Sequence, residues 1–417
     1  MKKKLMVFLL ILSLLVHLAG CAGRAEATDL MEGIQPGEVT GKEADPTFRK
    51  AEYDLALQLF CGAVDNSERD NLLISPLSIQ LALAMTANGA AGQTRREMES
   101  LLGGGIPLEL LNEYLYTYRN SLPNGENSKL TIANSIWYRE DEARLQMEEA
   151  FLQKNGDYYD AQMYQVPFDN GTLKDINAWV EDNTDGMIDK ILEEINPDTM
   201  LYLINALAFD SKWQKPYEST AVHPGTFRTY AGTETQADMM YSEEHWYLED
   251  ENTIGFMKAY KGGTYTFAAL LPSEETDIYD YVSNLTAESI MTLLDHPSNE
   301  KVETAMPGFT FDYSLSMNAT LQELGMKTPF DADLADFSSM GHSTVGNLYI
   351  GDVVHKTHIS VDKEGTKAAA VTNVEMVTES AEMEEVKTVH LNRPFLFFIL
   401  DRSNALPIFM GIVTDPT

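Results

Sequence analysis

The chain is poor in cysteine and in positive charge, and it lacks the short signatures that mark most enzymes. Its 417 residues contain only Cys21 and Cys61, so a folded domain has to stand without a disulfide framework. Against 64 Asp and Glu there are 30 Lys and Arg, a formal charge of −34. Neutralising a phosphate backbone needs clustered basic side chains, so a nucleic-acid partner is excluded. There is no Gly-x-Ser-x-Gly elbow, no His-Glu-x-x-His, no Gly-Lys-Ser/Thr phosphate loop and no Cys-x-x-Cys pair. Gly103-Gly104-Gly105 and Gly262-Gly263 lack dinucleotide-binding spacing and read as turns. The eight His are scattered, so a Ser-His-Asp set could meet only by folding.

The clearest signal present is at the start. Lys2, Lys3 and Lys4 precede an apolar run from Leu5 to Ala19, too short for an ordinary membrane span and typical of a secretory signal. The run ends in Leu18-Ala19-Gly20-Cys21, which resembles the lipobox of bacterial lipoproteins, where the Cys becomes the lipidated first residue. A plain secretory signal with an incidental Cys is the alternative. Acyl chains contribute about 0.8 kcal/mol per buried methylene, so a lipidated Cys21 is expected to hold the protein at the outer face of a membrane. Residues 22–47 are polar, carry Gly33, Gly37, Gly41, Pro36 and Pro46, and show no sustained periodicity; they read as a flexible tether.

From Phe48 onward no second linker appears, and one domain of residues 48–417 is expected. Apolar periodicity predicts helices over 48–64, 77–88, 175–194 and 314–324, and strands over 130–138, 200–209, 264–271, 348–351, 395–400 and 408–413. Helices and strands mix without strict alternation, so the class is α+β.

The most informative stretch begins at Glu364-Gly365-Thr366. Read with period two, Thr366, Ala368, Ala370, Thr372, Val374, Met376 and Thr378 form one face with no charge. Lys367, Glu375 and Glu379 all fall on the other face. That is a strand with one buried side and one wet side. Yet the small residues Ala368, Ala369 and Ala370 and the acidic run Glu379-Ser380-Ala381-Glu382-Met383-Glu384-Glu385 suit an exposed loop. The segment is written for two states. A loop of this length between strands is uncommon and usually functional; an edge strand followed by an acidic linker is the plainer alternative.

These residues, with their flanks, resemble the serpin family. Glu364-Gly365-Thr366 followed by the Ala run is similar to the reactive-loop hinge of inhibitory serpins. Asn71-Leu72-Leu73-Ile74-Ser75-Pro76-Leu77-Ser78, Asn205-Ala206-Leu207-Ala208-Phe209 with Trp213, His355-Lys356 and Arg393-Pro394-Phe395 are similar to other segments of the family in the same order. The resemblance covers residues 48–417. It implies a fold of three β-sheets with about nine helices and an exposed reactive-centre loop at about 365–388. It implies no catalytic residues and no cofactor. The partner would be an extracellular serine protease, or alternatively a cysteine protease, trapped as an acyl-enzyme when the cleaved loop inserts into the main sheet.

By the same resemblance Glu364, Gly365, Thr366, Ala368, Ala369, Ala370 and Thr372 form the hinge. Ser75, Ser78, Asn205 and His355 match the cluster beneath the sheet that governs strand parting, and Trp213 matches the residue at its upper opening. Counting from Gly365 with family spacing places the scissile bond at Glu379-Ser380, which fits a glutamate-specific protease. Thr378-Glu379 or Met376-Val377 would suit an elastase-like enzyme, and counting back from Pro394 gives Met383-Glu384. A non-inhibitory member remains an alternative, although such a chain is expected to carry charged or bulky residues on the inserting face. Between Leu102 and Leu130 only Arg119 and Lys129 stand where glycosaminoglycan-activated members place basic clusters, so no such partner is expected. A monomer is expected.

Overall fold

The computed structural model describes residues 27–125, 127–140, 145–196, 199–344, 347–366 and 386–417. Among these are nine α-helices and three sheets of seven, nine and two strands, the α+β mixture expected. In the seven-stranded sheet the order is Thr28–Asp29, Gln162–Val166, Ser128–Arg139, Leu201–Lys212, Gly365–Thr366, Asp352–Val361 and Phe309–Ser316. The nine-stranded sheet runs from Lys387–His390 through the long Glu234–Glu249 strand to Phe395–Asp401, Leu406–Val413 and Leu72–Ile74.

Leu201–Lys212 is the centre of the molecule, and its sequence explains why. Leu201, Leu203, Leu207 and Phe209 enter the main core, while Tyr202, Ile204 and Ala206 enter a second apolar cluster. A strand covered on both faces needs this near-continuous apolar run. The second cluster is closed by the Asn170–Asn183 helix, whose Ile176, Trp179 and Val180 pack onto Trp137 and Val166 of the sheet. The main core lies against the Pro76–Ala87 helix, which is buried on every side. Pro76 starts that helix and Ser75 caps it, accepting from the Ser78 N–H at 3.3 Å.

Three expectations need correction. The 175–194 helix is Asn170–Asn183: Asp169 and Thr172 form a capping box at its start, and Asp185 and Gly186 take positive φ just past its end. The 314–324 helix is confined to Asn318–Glu323, because Phe309, Phe311, Tyr313 and Leu315 alternate with polar residues and make Phe309–Ser316 a strand. Residues 348–351 are not a strand. The strand begins at Asp352, after Gly351 passes so close to Thr199 that an added Cβ would lie 2.2 Å from its methyl.

The 21–47 tether also differs from Thr28 onward, where it is laid on the domain. Thr28 and Asp29 pair with Gln165 and Tyr164 as an edge strand. The Gly37 N–H donates to Asp157 at 2.7 Å, and Ile34 sits against Gly156, where a Cβ would approach it to 2.9 Å. Composition alone does not reveal such docking, because the partners lie about 120 residues away in the chain.

Candidate functional site

Four of the named residues meet under the central strands, and all four are fully buried. Asn205 and His355 are register partners on the parallel strands Leu201–Lys212 and Asp352–Val361. Ser75 and Ser78 stand at the start of the helix behind them. The Asn205 amide donates to Ser78 Oγ at 2.5 Å and to Asn134 Oδ1, and its oxygen is bonded to His355 Nδ1. The Ser75 N–H donates to His355 Nε2 at 3.1 Å. That ring nitrogen therefore carries no proton, and the network assigns the imidazole hydrogen to Nδ1, directed at Asn205. Burial pushes the His355 pKa from 6.5 down to about 3.

Asn134 is the member that sequence reasoning missed. It is the register partner of Asn205 on Ser128–Arg139, so Asn134, Asn205 and His355 form a polar row across three adjacent strands. A signal was available: Asn134-Ser135 stands between the apolar pairs Ile132-Ala133 and Ile136-Trp137, and a polar residue in such a place needs a bonded partner.

Above this row the two central strands separate. Their direct ladder runs from Tyr202 and Asp352 up to Leu207 and Thr357 and ends there. Higher up, Gly365 and Thr366 enter between them, pairing with Lys212 and Ser211 on one side, and with Val361 on the other through Thr366. Gly365 and Thr366, the first strand residues of the expected hinge, are thus a wedge seated in the sheet. Thr366 is 1% exposed, and its hydroxyl meets the Tyr260 hydroxyl at 2.7 Å. The resemblance implies that Thr366 is the first side chain buried on insertion; the structure buries it before any cleavage. Gly365 is required for close approach, since a Cβ would lie 2.2 Å from the Ser211 carbonyl oxygen and 2.7 Å from Lys212 Cα.

Trp213 holds the pivot from the end of the same strand. Its indole N–H donates to the Asp362 carbonyl and its backbone N–H to the Glu364 carbonyl, both at 2.9 Å. Its ring stacks on Tyr260 with centroids 4.5 Å apart. The Tyr217 N–H adds a bond to the Lys363 carbonyl at 2.8 Å. Within the turn, Asp362 Oδ1 accepts from the Glu364 and Gly365 N–H groups. This set can fix the position of residues 362–366, above the place where the direct pairing of the two flanking strands ends.

Cys21, Ala368, Ala369, Ala370, Thr372, Met376, Thr378, Glu379, Ser380 and Met383 lie outside the described residues. The chain is described again from Val386, and Lys387–His390 pairs in parallel with Ser298–Pro307 at the edge of the nine-stranded sheet. Of the two basic residues considered for a glycosaminoglycan, Arg119 is turned to the Tyr159 carbonyl and Lys129 is paired with Asp185.

Residues 50–416 match the family model described as Serpin (serine protease inhibitor). An uncharacterized serpin-like protein of Thermococcus kodakarensis is 30% identical over 431 aligned residues, covering 98% of each chain. The thermophilic serpin tengpin in its native state is 46% identical, with a TM-score of 0.90 over 93% of this chain and 99% of that one. In its latent state the same protein is 44% identical, with a TM-score of 0.80 over 91% of this chain and 100% of that one. The arrangement here is therefore nearer the native form. Three sheets and nine helices are the serpin fold, and family members are typically protease inhibitors, some non-inhibitory, rather than catalytic enzymes. The chain belongs to the serpin family of serine protease inhibitors.

Proposed function

We propose that the chain is a suicide substrate for an extracellular serine protease. The protease serine attacks the Glu379 carbonyl, the peptide bond to Ser380 breaks, the Ser380 amine departs and an acyl ester links the two proteins. Freed at one end, the segment after Thr366 enters between Leu201–Lys212 and Asp352–Val361, carrying the protease with it and distorting its oxyanion site before water can complete the cycle. The observation that carries this reading is the seated Gly365–Thr366 wedge above an interrupted ladder. The charge-free face from Thr366 to Thr378 continues in the parity that this wedge begins.

The test is incubation with glutamyl, elastase-like, chymotrypsin-like and trypsin-like proteases, followed by denaturing gels and mass analysis of the released C-terminal peptide. A covalent complex with a peptide beginning at Ser380 supports the assignment. A peptide beginning at Glu384 moves the bond to Met383-Glu384, and clean proteolysis without any complex rejects trapping. We also propose that the protein works from a membrane surface through lipid on Cys21, which rests on the Leu18-Ala19-Gly20-Cys21 motif. Cys21→Ala should move it from the membrane to the soluble fraction, and equal partition of both forms would reject the anchor.

A further inference from the structure

Behind the pivot lies a charged side chain that family reasoning did not single out. Lys258 is 2% exposed, on the strand Thr253–Ala259. It shares a strand face with Tyr260, two residues on, which stacks on Trp213 and bonds Thr366. The Lys258 ammonium lies 4.3 Å from the Tyr217 ring centroid and 5.7 Å from that of Trp213. Its Nζ is 2.5 Å from Glu244 Oε1, which also accepts from Ser242 Oγ at 2.7 Å. Tyr217 in turn packs edge-on against Trp213 with ring planes 86° apart. One ammonium thus faces both rings whose backbone N–H groups hold the Lys363 and Glu364 carbonyls.

Stability does not explain a charge at this place. Removing an ammonium from water is costly, and a buried ion pair is often no better than apolar side chains of the same volume. An ammonium does what a methionine cannot: it attracts both ring faces and is itself pointed by Glu244, so the rings acquire a fixed direction.

We propose that Lys258, oriented by Glu244, is a positioning residue for the hinge, keeping the Trp213 and Tyr217 rings where their backbones grip residues 363–364 so that insertion starts from a seated pivot. This rests on the suicide-substrate reading for its consequence, but not for its geometry. Without the ammonium the pivot loosens, the cleaved loop starts into the sheet more slowly, and the acyl-enzyme hydrolyses more often before it is trapped.

The experiment compares full-length wild type, Lys258→Met, Lys258→Arg and Glu244→Gln. Backbone exchange is followed at Trp213, Tyr217 and Gly365, with Phe398 in the nine-stranded sheet as a remote control. The expected result is exchange about 10- to 30-fold faster at the three pivot amides in Lys258→Met, an unchanged rate at Phe398, and substantial rescue by Arg. With any protease the wild type traps, Lys258→Met should need several-fold more inhibitor per trapped enzyme. Unchanged pivot exchange overturns the proposal, and so does acceleration that extends equally to Phe398, which marks a merely structural role. If Lys258→Met does not fold, Glu244→Gln decides, because it removes the carboxylate that orients the ammonium and sustains its charge, and should give the same local acceleration. A wild type that traps no protease rejects the functional reading, while the exchange pattern still judges the positioning role.

Discussion

His355 offers the sharpest test of the buried cluster. Its folded pKa is about 3 against 6.5 for the free side chain, because burial opposes the charge and the Ser75 N–H occupies the nitrogen that a proton would need. The unfolded chain therefore takes up a proton between pH 6.5 and 3 that the folded chain refuses. Acid favours the unfolded side, and stability falls as pH drops through this window. At about 1.4 kcal/mol per pKa unit, lowering pH from 7 to 5 costs about 2 kcal/mol from this residue alone, approaching about 4 to 5 kcal/mol near pH 3. Protonation in the folded state would set an Nε2–H against the Ser75 N–H, so the cluster would part at this bond. The assay is the urea midpoint, read by near-ultraviolet circular dichroism at pH 7, 6 and 5, for wild type and His355→Gln. Both share every other titrating group, so the difference between their pH slopes isolates this imidazole. The variant should be less stable at pH 7 but lose about 2 kcal/mol less on acidification to pH 5. Parallel curves would refute the assigned burial and tautomer.

Other outcomes follow from neighbouring geometry. Thr366→Arg removes the bond to Tyr260 and leaves its buried hydroxyl unpaired, a cost of about 1 to 3 kcal/mol before the charge itself is counted. The variant should be cleaved as a substrate, and a covalent complex at unchanged stoichiometry would contradict the insertion model. Glu52 is buried against Gln80, and its pKa is pushed up from 4.5 to about 8, so the folded state keeps a proton that the unfolded chain loses, and stability declines as pH rises from 4.5 to 8. Glu52→Gln should abolish most of that decline, on the order of 3 kcal/mol by pH 7, and thermal melts at pH 5 and 7 with unchanged pH dependence would argue otherwise. Nicking within 367–385 by a non-target protease should raise the melting temperature sharply, since the freed segment can complete the central sheet; identical melts before and after nicking would count against a metastable native state.

Much of this site was legible because its chemistry is local in sequence. Ser75-Pro76 announces a capped helix, and the clean parity after Gly365 announces a segment able to lie as a strand with one face buried. Asn205 and His355 could be named from flanking motifs, but their contact depends on a parallel register that no single stretch encodes. Asn134 was hidden for the same reason. Lys258 was missed because a lysine in a strand ordinarily marks the wet face, and only the tertiary arrangement of Glu244, Tyr217 and Trp213 makes a buried one tolerable. The seating of Thr366 was also out of reach, because pattern shows which residues can be buried and not when.

The docking of Thr28 and Asp29 at the edge of the seven-stranded sheet sets a short leash. Were residues 21–47 free, the domain could wander far from a lipid on Cys21. With the chain pinned at Thr28, six residues separate it from Cys21, a reach of at most about 25 Å over seven residue steps at full extension. A lipid on Cys21, as proposed above, would therefore keep that sheet edge within this distance of the lipidated residue.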